Sequence, residues 1–151
     1  MPDGTTSTTG AYFALFNEIG IIAQLSRALF EARLPEGIHL PQFAVINHMV
    51  RLGDGKTPLA LARAFQVPKT SMTHSLAVLE KHGLIRLEPN PEDGRSKCAF
   101  LTEAGRALRD DAIASIEPDM AGMSDQISEE RIAALLPELA EIRKYLDQNR
   151  P

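Results

Sequence analysis

Between Thr57 and Leu101 the spacing of apolar residues changes twice, and few folds accept the resulting order of elements. Thr57-Pro58 opens a helix in the preferred way, a hydroxyl cap followed by a proline whose missing N–H costs nothing there. This helix is short and ends near Phe65-Gln66, because Val67-Pro68 forces a break and a restart. A longer helix is predicted from about Pro68 to His82, with Met72, Leu76 and Leu79 on its inner side. Leu61, Ala62, Phe65 and Val67 are expected to bury against those three. Gly83 stands where a helix commonly ends in a left-handed residue, and Leu84 behind it can pack back on the last turn. Alternation then replaces the helical period in Leu84–Glu88 and Lys97–Leu101. The intervening Pro89-Asn90-Pro91-Glu92-Asp93-Gly94 is dense in turn formers, which predicts a hairpin with a long, polar, flexible tip.

The flanks are helical. Tyr12, Leu15, Phe16, Ile19, Ile22, Ala23, Leu29 and Phe30 recur at helical spacing from about Ala11 to Ala32, and Leu34-Pro35-Glu36-Gly37 ends that run. Pro41 suits the first turn of a second helix reaching Leu52, with Phe43, Ile46, Met49 and Val50 inward and Gly53-Asp54-Gly55 as its stop. Thr102-Glu103 opens a fifth helix to about Met123, striped by Leu108, Ala112, Ile116 and Met120. Ser128-Glu129-Glu130 opens a sixth, with Ile132, Leu135, Leu136, Leu139, Ile142 and Leu146 on one side. Pro118 and Pro137 predict kinks or a break. The expected fold is mainly α with a small β-hairpin wing: a winged helix-turn-helix of six helices. The first, fifth and sixth helices carry more apolar surface than one small winged domain can cover, so a dimer formed through them is expected. The predicted organisation is a disordered tail (1–10), an N-terminal dimerisation helix (11–36), the winged domain (37–105) and C-terminal dimerisation helices (102–151).

Composition narrows the chemistry. A lone cysteine, Cys98, excludes an intramolecular disulfide and argues against a Cys-based zinc site; it reads as a buried strand residue. The four histidines, His39, His48, His74 and His82, fall at no metal-binding spacing. Neither a nucleophile–base–acid set nor a phosphate-binding glycine loop occurs, so the chain is read as a non-enzyme without cofactor. No apolar run reads as a membrane span and the first ten residues do not read as a secretory signal, so a cytoplasmic location without a membrane partner is expected. The net charge is −4, yet residues 51–109 hold ten basic side chains against six acidic ones. A basic middle between acidic arms suits a protein that meets phosphate with one face.

Two segments of that middle carry the candidate chemistry. At the start of the helix after Val67-Pro68, Lys69, Thr70, Ser71, Thr73 and His74 combine a cation for phosphate with short hydroxyls and an imidazole able to reach base edges. At the hairpin tip, Arg95 is the kind of side chain that enters a narrow minor groove. Asp93 is close enough to hold its guanidinium by paired hydrogen bonds, and Lys97 follows. Either segment alone also reads as ordinary solvated surface.

Together, at this separation, they resemble the multiple-antibiotic-resistance regulator (MarR) family. The resemblance is densest in Leu79-Glu80-Lys81-His82-Gly83-Leu84-Ile85-Arg86, Pro91-Glu92-Asp93-Gly94-Arg95-Ser96-Lys97 and Leu101-Thr102-Glu103-Ala104-Gly105. It implies a homodimeric, sequence-specific transcriptional regulator, a repressor, on a near-palindromic double-stranded site. Lys69, Thr70, Ser71, Thr73 and His74 would meet the major groove, Arg95 the minor groove with Asp93 orienting it, and Lys97 a phosphate. His74 departs from the arginine many relatives place after the threonine of this helix. The resemblance also implies a crevice for a small aromatic effector, for which Tyr12, Phe16, His39 and Phe43 are the candidate lining. A winged-helix module for protein–protein contact without DNA is the alternative.

Overall fold

The first helix begins three residues earlier than its apolar stripe suggests. A computed structural model describes residues 7–151, so residues 1–6 of the expected tail lie outside the described residues. Ser7 caps α1 (Thr8–Glu31), its hydroxyl accepting from Gly10 N–H at 3.1 Å, so residues 8–10 are helix and not tail. The chain divides into two compact units between Ala114 and Ser115.

In the first unit, α1 buries none of its residues, and Tyr12, Phe13, Phe16, Ile19, Ile21, Ile22 and Leu25 are exposed. By length and composition alone α1 is long and apolar enough to cross a membrane, a test that a helix of a soluble protein also passes. At its end, Glu31 accepts from Leu40 N–H at 3.2 Å and Phe30 meets Phe43 with ring centroids 5.2 Å apart. These contacts seat α2 (Leu40–Leu52), which holds Pro41 in its first turn. α3 (Pro58–Phe65) is capped by Thr57, which accepts from Ala60 N–H at 3.2 Å. Gln66 in the left-handed region and Val67-Pro68 turn the chain into α4 (Lys69–Lys81). The core is Val45, Ile46 and Met49 of α2, Leu61 and Ala62 of α3, and Met72, Leu76 and Leu79 of α4. Val67, expected inside, is 38% exposed because the turn aims it away from that core.

The hairpin closes the core from the other side. β1 (Ile85–Pro89) pairs antiparallel with β2 (Lys97–Leu101), in a register that sets Ile85 opposite Leu101 and Leu87 opposite Ala99. Leu84, Ile85, Ala99 and Leu101 join the core, and Cys98 is buried. Gly83 takes φ 71° and α4 ends as expected: Leu84 N–H reaches the Leu79 carbonyl and Gly83 N–H the Glu80 carbonyl, both at 2.9 Å. Thr102 locks this corner. Its hydroxyl donates to the Gly83 carbonyl at 2.7 Å and accepts from Gly105 N–H at 3.1 Å, capping α5 (Glu103–Ser115). A Cβ on Gly105 would run into the Leu84 carbonyl oxygen. Arg109 of α5 donates to Asn47 of α2 at 3.3 Å.

The second unit is a helical pair, α6 (Glu117–Ser124) and α7 (Glu129–Gln148). The sixth helix expected from sequence is α7. The fifth is broken at Ile116, with Pro118 in the first turn of the new segment, as one of the two outcomes expected of that proline. At Pro137 the helix runs on. Met120, Met123, Ile127, Ile132 and Leu136 line an apolar groove of about 640 Å³ between α6 and α7. Leu135, Leu136 and Leu146 are 48–58% exposed whereas Ile132, Leu139 and Ile142 are half-buried, so half of the expected stripe stands open.

Two outcomes test this packing. Gly105→Ala should cost about 1–3 kcal/mol, read as a lower urea midpoint, because the Leu84 backbone cannot give way as a side chain would. His48 on α2 lies against Phe65 with ring centroids 5.1 Å apart, and its buried Nε2 has no hydrogen-bond partner. Burial first, then the nearby Lys56 and Arg51 charges, hold its pKa below the ordinary histidine value. Protonation then favours the unfolded chain: the stabilisation is present above the unfolded pKa and is lost as pH falls through the folded one. Urea midpoints should therefore fall on the acid side of about pH 6.5, and His48→Gln should flatten that dependence.

Candidate nucleic-acid interface

The start of α4 is held from behind and open in front. Met72, Ser75, Leu76 and Leu79 are buried, which fixes the roll of the helix about its axis. Lys69, Thr70, Ser71, Thr73 and His74 all stand exposed on the opposite side. No side chain caps this end of α4 and its first turn holds no acid. Its leading N–H groups and partial positive charge therefore face outward with the Lys69 ammonium beside them.

The hairpin tip is tied rather than loose. Asn90 N–H and Nδ2 donate to the Ser96 carbonyl and hydroxyl at 3.1 and 3.0 Å, while Ser96 N–H donates to the Asp93 carbonyl at 3.1 Å. Glu92 N–H donates to Asn90 Oδ1 at 3.1 Å. These bonds shape a turn whose apex presents Arg95, 94% exposed in its side chain. The expected paired bond to Asp93 is instead a single guanidinium contact: Arg95 Nε donates to Asp93 Oδ1 at 3.3 Å. The same oxygen takes Arg95 N–H at 3.0 Å. Asp93 thus orders the backbone at Arg95 more firmly than its side chain, since an ion pair this exposed is worth little. Lys97 opens β2 and is exposed.

Helix and wing are joined directly. Glu80 of α4 accepts from Leu87 N–H of β1 at 3.3 Å, and Thr102 spans from the end of β2 to Gly83. Asp54, read in sequence only as part of a helix stop, accepts from Leu101 N–H at 2.9 Å. The Gly53-Asp54-Gly55 motif was visible, but its partner lies 47 residues away and only the fold brings the two together.

One chain does not assemble the expected effector crevice. Phe43 is 6% exposed and packs on Phe30, whereas Tyr12 and Phe16 are exposed near the start of α1. At 1.5 Å per residue the 14 residues from Phe16 to Phe30 span about 21 Å of helix. His39 precedes α2 and is exposed, its N–H donating to Gln42 Oε1 at 2.8 Å. Phe43 is therefore a core residue of the subunit.

Residues 36–96 match the model of the MarR family. Solved structures match along most of the chain. A MarR family transcription regulator is 24% identical, with 97% of each chain covered and a TM-score of 0.74. A mutant MarR from E. coli is 25% identical, covering 85% of this chain and 95% of its own, with a TM-score of 0.70. A mutant MarR from E. coli solved in complex with operator DNA is 23% identical, covering 90% and 98%, again with a TM-score of 0.70. The winged helix-turn-helix segment is thus similar to the MarR family model, and the fold along most of the chain is shared with solved MarR-family structures.

Proposed function

We propose that the chain is a homodimeric, sequence-specific DNA-binding transcriptional regulator that acts as a repressor. The observation that carries this reading is the pairing of two outward faces on one framework. The open start of α4 is set by a buried opposite side, and a wing linked to that helix presents Arg95 to solvent. In this reading α4 enters the major groove, with Lys69 on phosphate and Thr70, Ser71, Thr73 and His74 at base edges. Arg95 enters the adjacent minor groove, Asp93 orders its turn, and Lys97 meets phosphate. The related MarR solved with operator DNA supports a nucleic-acid partner for this fold.

The uncovered apolar faces support the dimer. α1 and α7 expose large apolar side chains along much of their length, more than a monomer in water usually shows. The apolar character of α1 also fits a membrane span by composition, but Glu18 and Arg27 interrupt it, and a second copy would cover the same residues without burying charge in lipid. Two-fold pairing would set two copies of α4 on a near-palindromic site about 34 Å apart. In this reading the helix of residues 11–36 and the helices of residues 102–151 form the dimer, and residues 37–105 read DNA. Release by a small aromatic effector would need the second subunit, since one chain separates Tyr12 and Phe16 from Phe43.

Sedimentation equilibrium should return twice the chain mass at micromolar concentration; a monomer there removes the paired-helix geometry. Titration with duplex DNA at several salt concentrations should show binding that weakens steeply with salt. Arg95→Ala should cost about tenfold in affinity, most on sites with a narrow minor groove, and His74→Ala should shift base preference by about 1–3 kcal/mol at one position. Binding that is absent or insensitive to salt on every duplex favours the winged-helix module for protein contact.

A further inference from the structure

The three residues between α2 and β2's bridging partner Lys56 do more than end a helix. Gly53 and Gly55 both stand at positive φ, 91° and 87°, a region that residues with side chains avoid. A Cβ at Gly55 would also lie 3.3 Å from Phe100 on β2. With a glycine on each side, Asp54 is carried to the root of the wing, where its Oδ2 accepts from Leu101 N–H at 2.9 Å. Beside it the backbone makes an isolated β-bridge to β2, Lys56 opposite Ala99. Gly55 N–H donates to the Ala99 carbonyl at 2.7 Å, and Ala99 N–H donates to the Lys56 carbonyl at 3.0 Å. Asp54 extends that ladder by one rung, its carboxylate oxygen standing where another strand's carbonyl would be.

On the opposite strand Glu80 takes Leu87 N–H at 3.3 Å, and Pro89 has no N–H to offer. The wing is thus held at both strands by carboxylates, and the Asp54 bond is the shorter of the two. We propose that Asp54 is a positioning residue for DNA recognition: by holding Leu101 it fixes the root of the wing, and with it the place of Arg95 relative to α4. The inference rests on the DNA-binding reading above. Its sign is informative. A negative charge on a surface that meets phosphate weakens binding by general electrostatics, so deleting Asp54 should tighten binding unless its geometric role is the larger effect.

The test uses Asp54→Ala, Asp54→Asn, Arg95→Ala and the Asp54→Ala/Arg95→Ala double variant as purified full chains. The probe is a duplex that the wild-type chain selects from a random-sequence pool, and amide hydrogen exchange at Leu101 is followed in parallel. Asp54→Ala should raise Leu101 exchange and weaken binding, each about tenfold. Asp54→Asn keeps an acceptor oxygen and sheds the charge, so it should bind within about twofold of wild type, or tighter. In the Arg95→Ala background Asp54→Ala should cost less than about twofold, because the group it positions is gone. Unchanged Leu101 exchange, tighter binding by Asp54→Ala, equal losses in the Ala and Asn variants, or additive losses in the double variant each overturn the proposal. If the wild type selects no duplex, the DNA reading fails and the recognition role falls with it; raised Leu101 exchange would then mark Asp54 as a purely structural clamp.

Discussion

The corner where α4 ends and β2 runs into α5 is the joint on which the winged unit depends. Gly83 turns the chain, Leu84 drops into the core, and the Thr102 hydroxyl bonds to the Gly83 carbonyl and the Gly105 amide together. Gly105 must lack a side chain because the Leu84 carbonyl lies against its Cα. One hydroxyl and two glycines thus fix three elements at once. The cost of disturbing them is steric and local, whereas the benefit of keeping them reaches both the helix and the wing.

That joint explains how a small unit can hold two exposed faces in register. The start of α4 and the wing tip make few contacts of their own with the core, since both must stay open to solvent. Their positions are inherited from buried parts: Met72, Leu76 and Leu79 for the helix, Ile85, Ala99 and Leu101 for the wing. Carboxylates from Glu80 and Asp54 then take N–H groups of both wing strands, so the ribbon is held by its root while its tip stays exposed. Rigidity at the root and exposure at the tip are what a side chain needs if it is to reach a groove without losing much conformational entropy on arrival.

Much of this was legible in the chain itself. Thr57-Pro58, Val67-Pro68 and Gly83 mark α3 and α4 because each acts on its own backbone, and the change from helical spacing to alternation marks the wing. The spacing of Met72, Leu76 and Leu79 names the buried side of α4, and so, by exclusion, the exposed one. Less was legible where neighbours decide. Val45 proved more buried than Val50 because α2 is surrounded on a wider arc than its stripe suggests, and Val67 turned outward with the tight turn. The Arg95–Asp93 contact proved single, with Arg95 Nε and Arg95 N–H sharing one Asp93 oxygen, a geometry that residue types alone do not fix.

Local covalent preference and periodicity therefore determined the order and kind of the elements, the ends of α3 and α4, and the residue types offered at the α4 start and the wing tip. Only the tertiary structure decided which groups distant in sequence share a hydrogen bond, as Asp54 does with Leu101 and Arg109 with Asn47. It also decided which large apolar side chains of α1 and α7 stand exposed, among them Tyr12, Ile22, Leu135 and Leu136. The physical reason is range. Capping, φ restriction and side-chain period act within a turn or two of chain, whereas burial and long-range pairing depend on what the rest of the chain brings alongside.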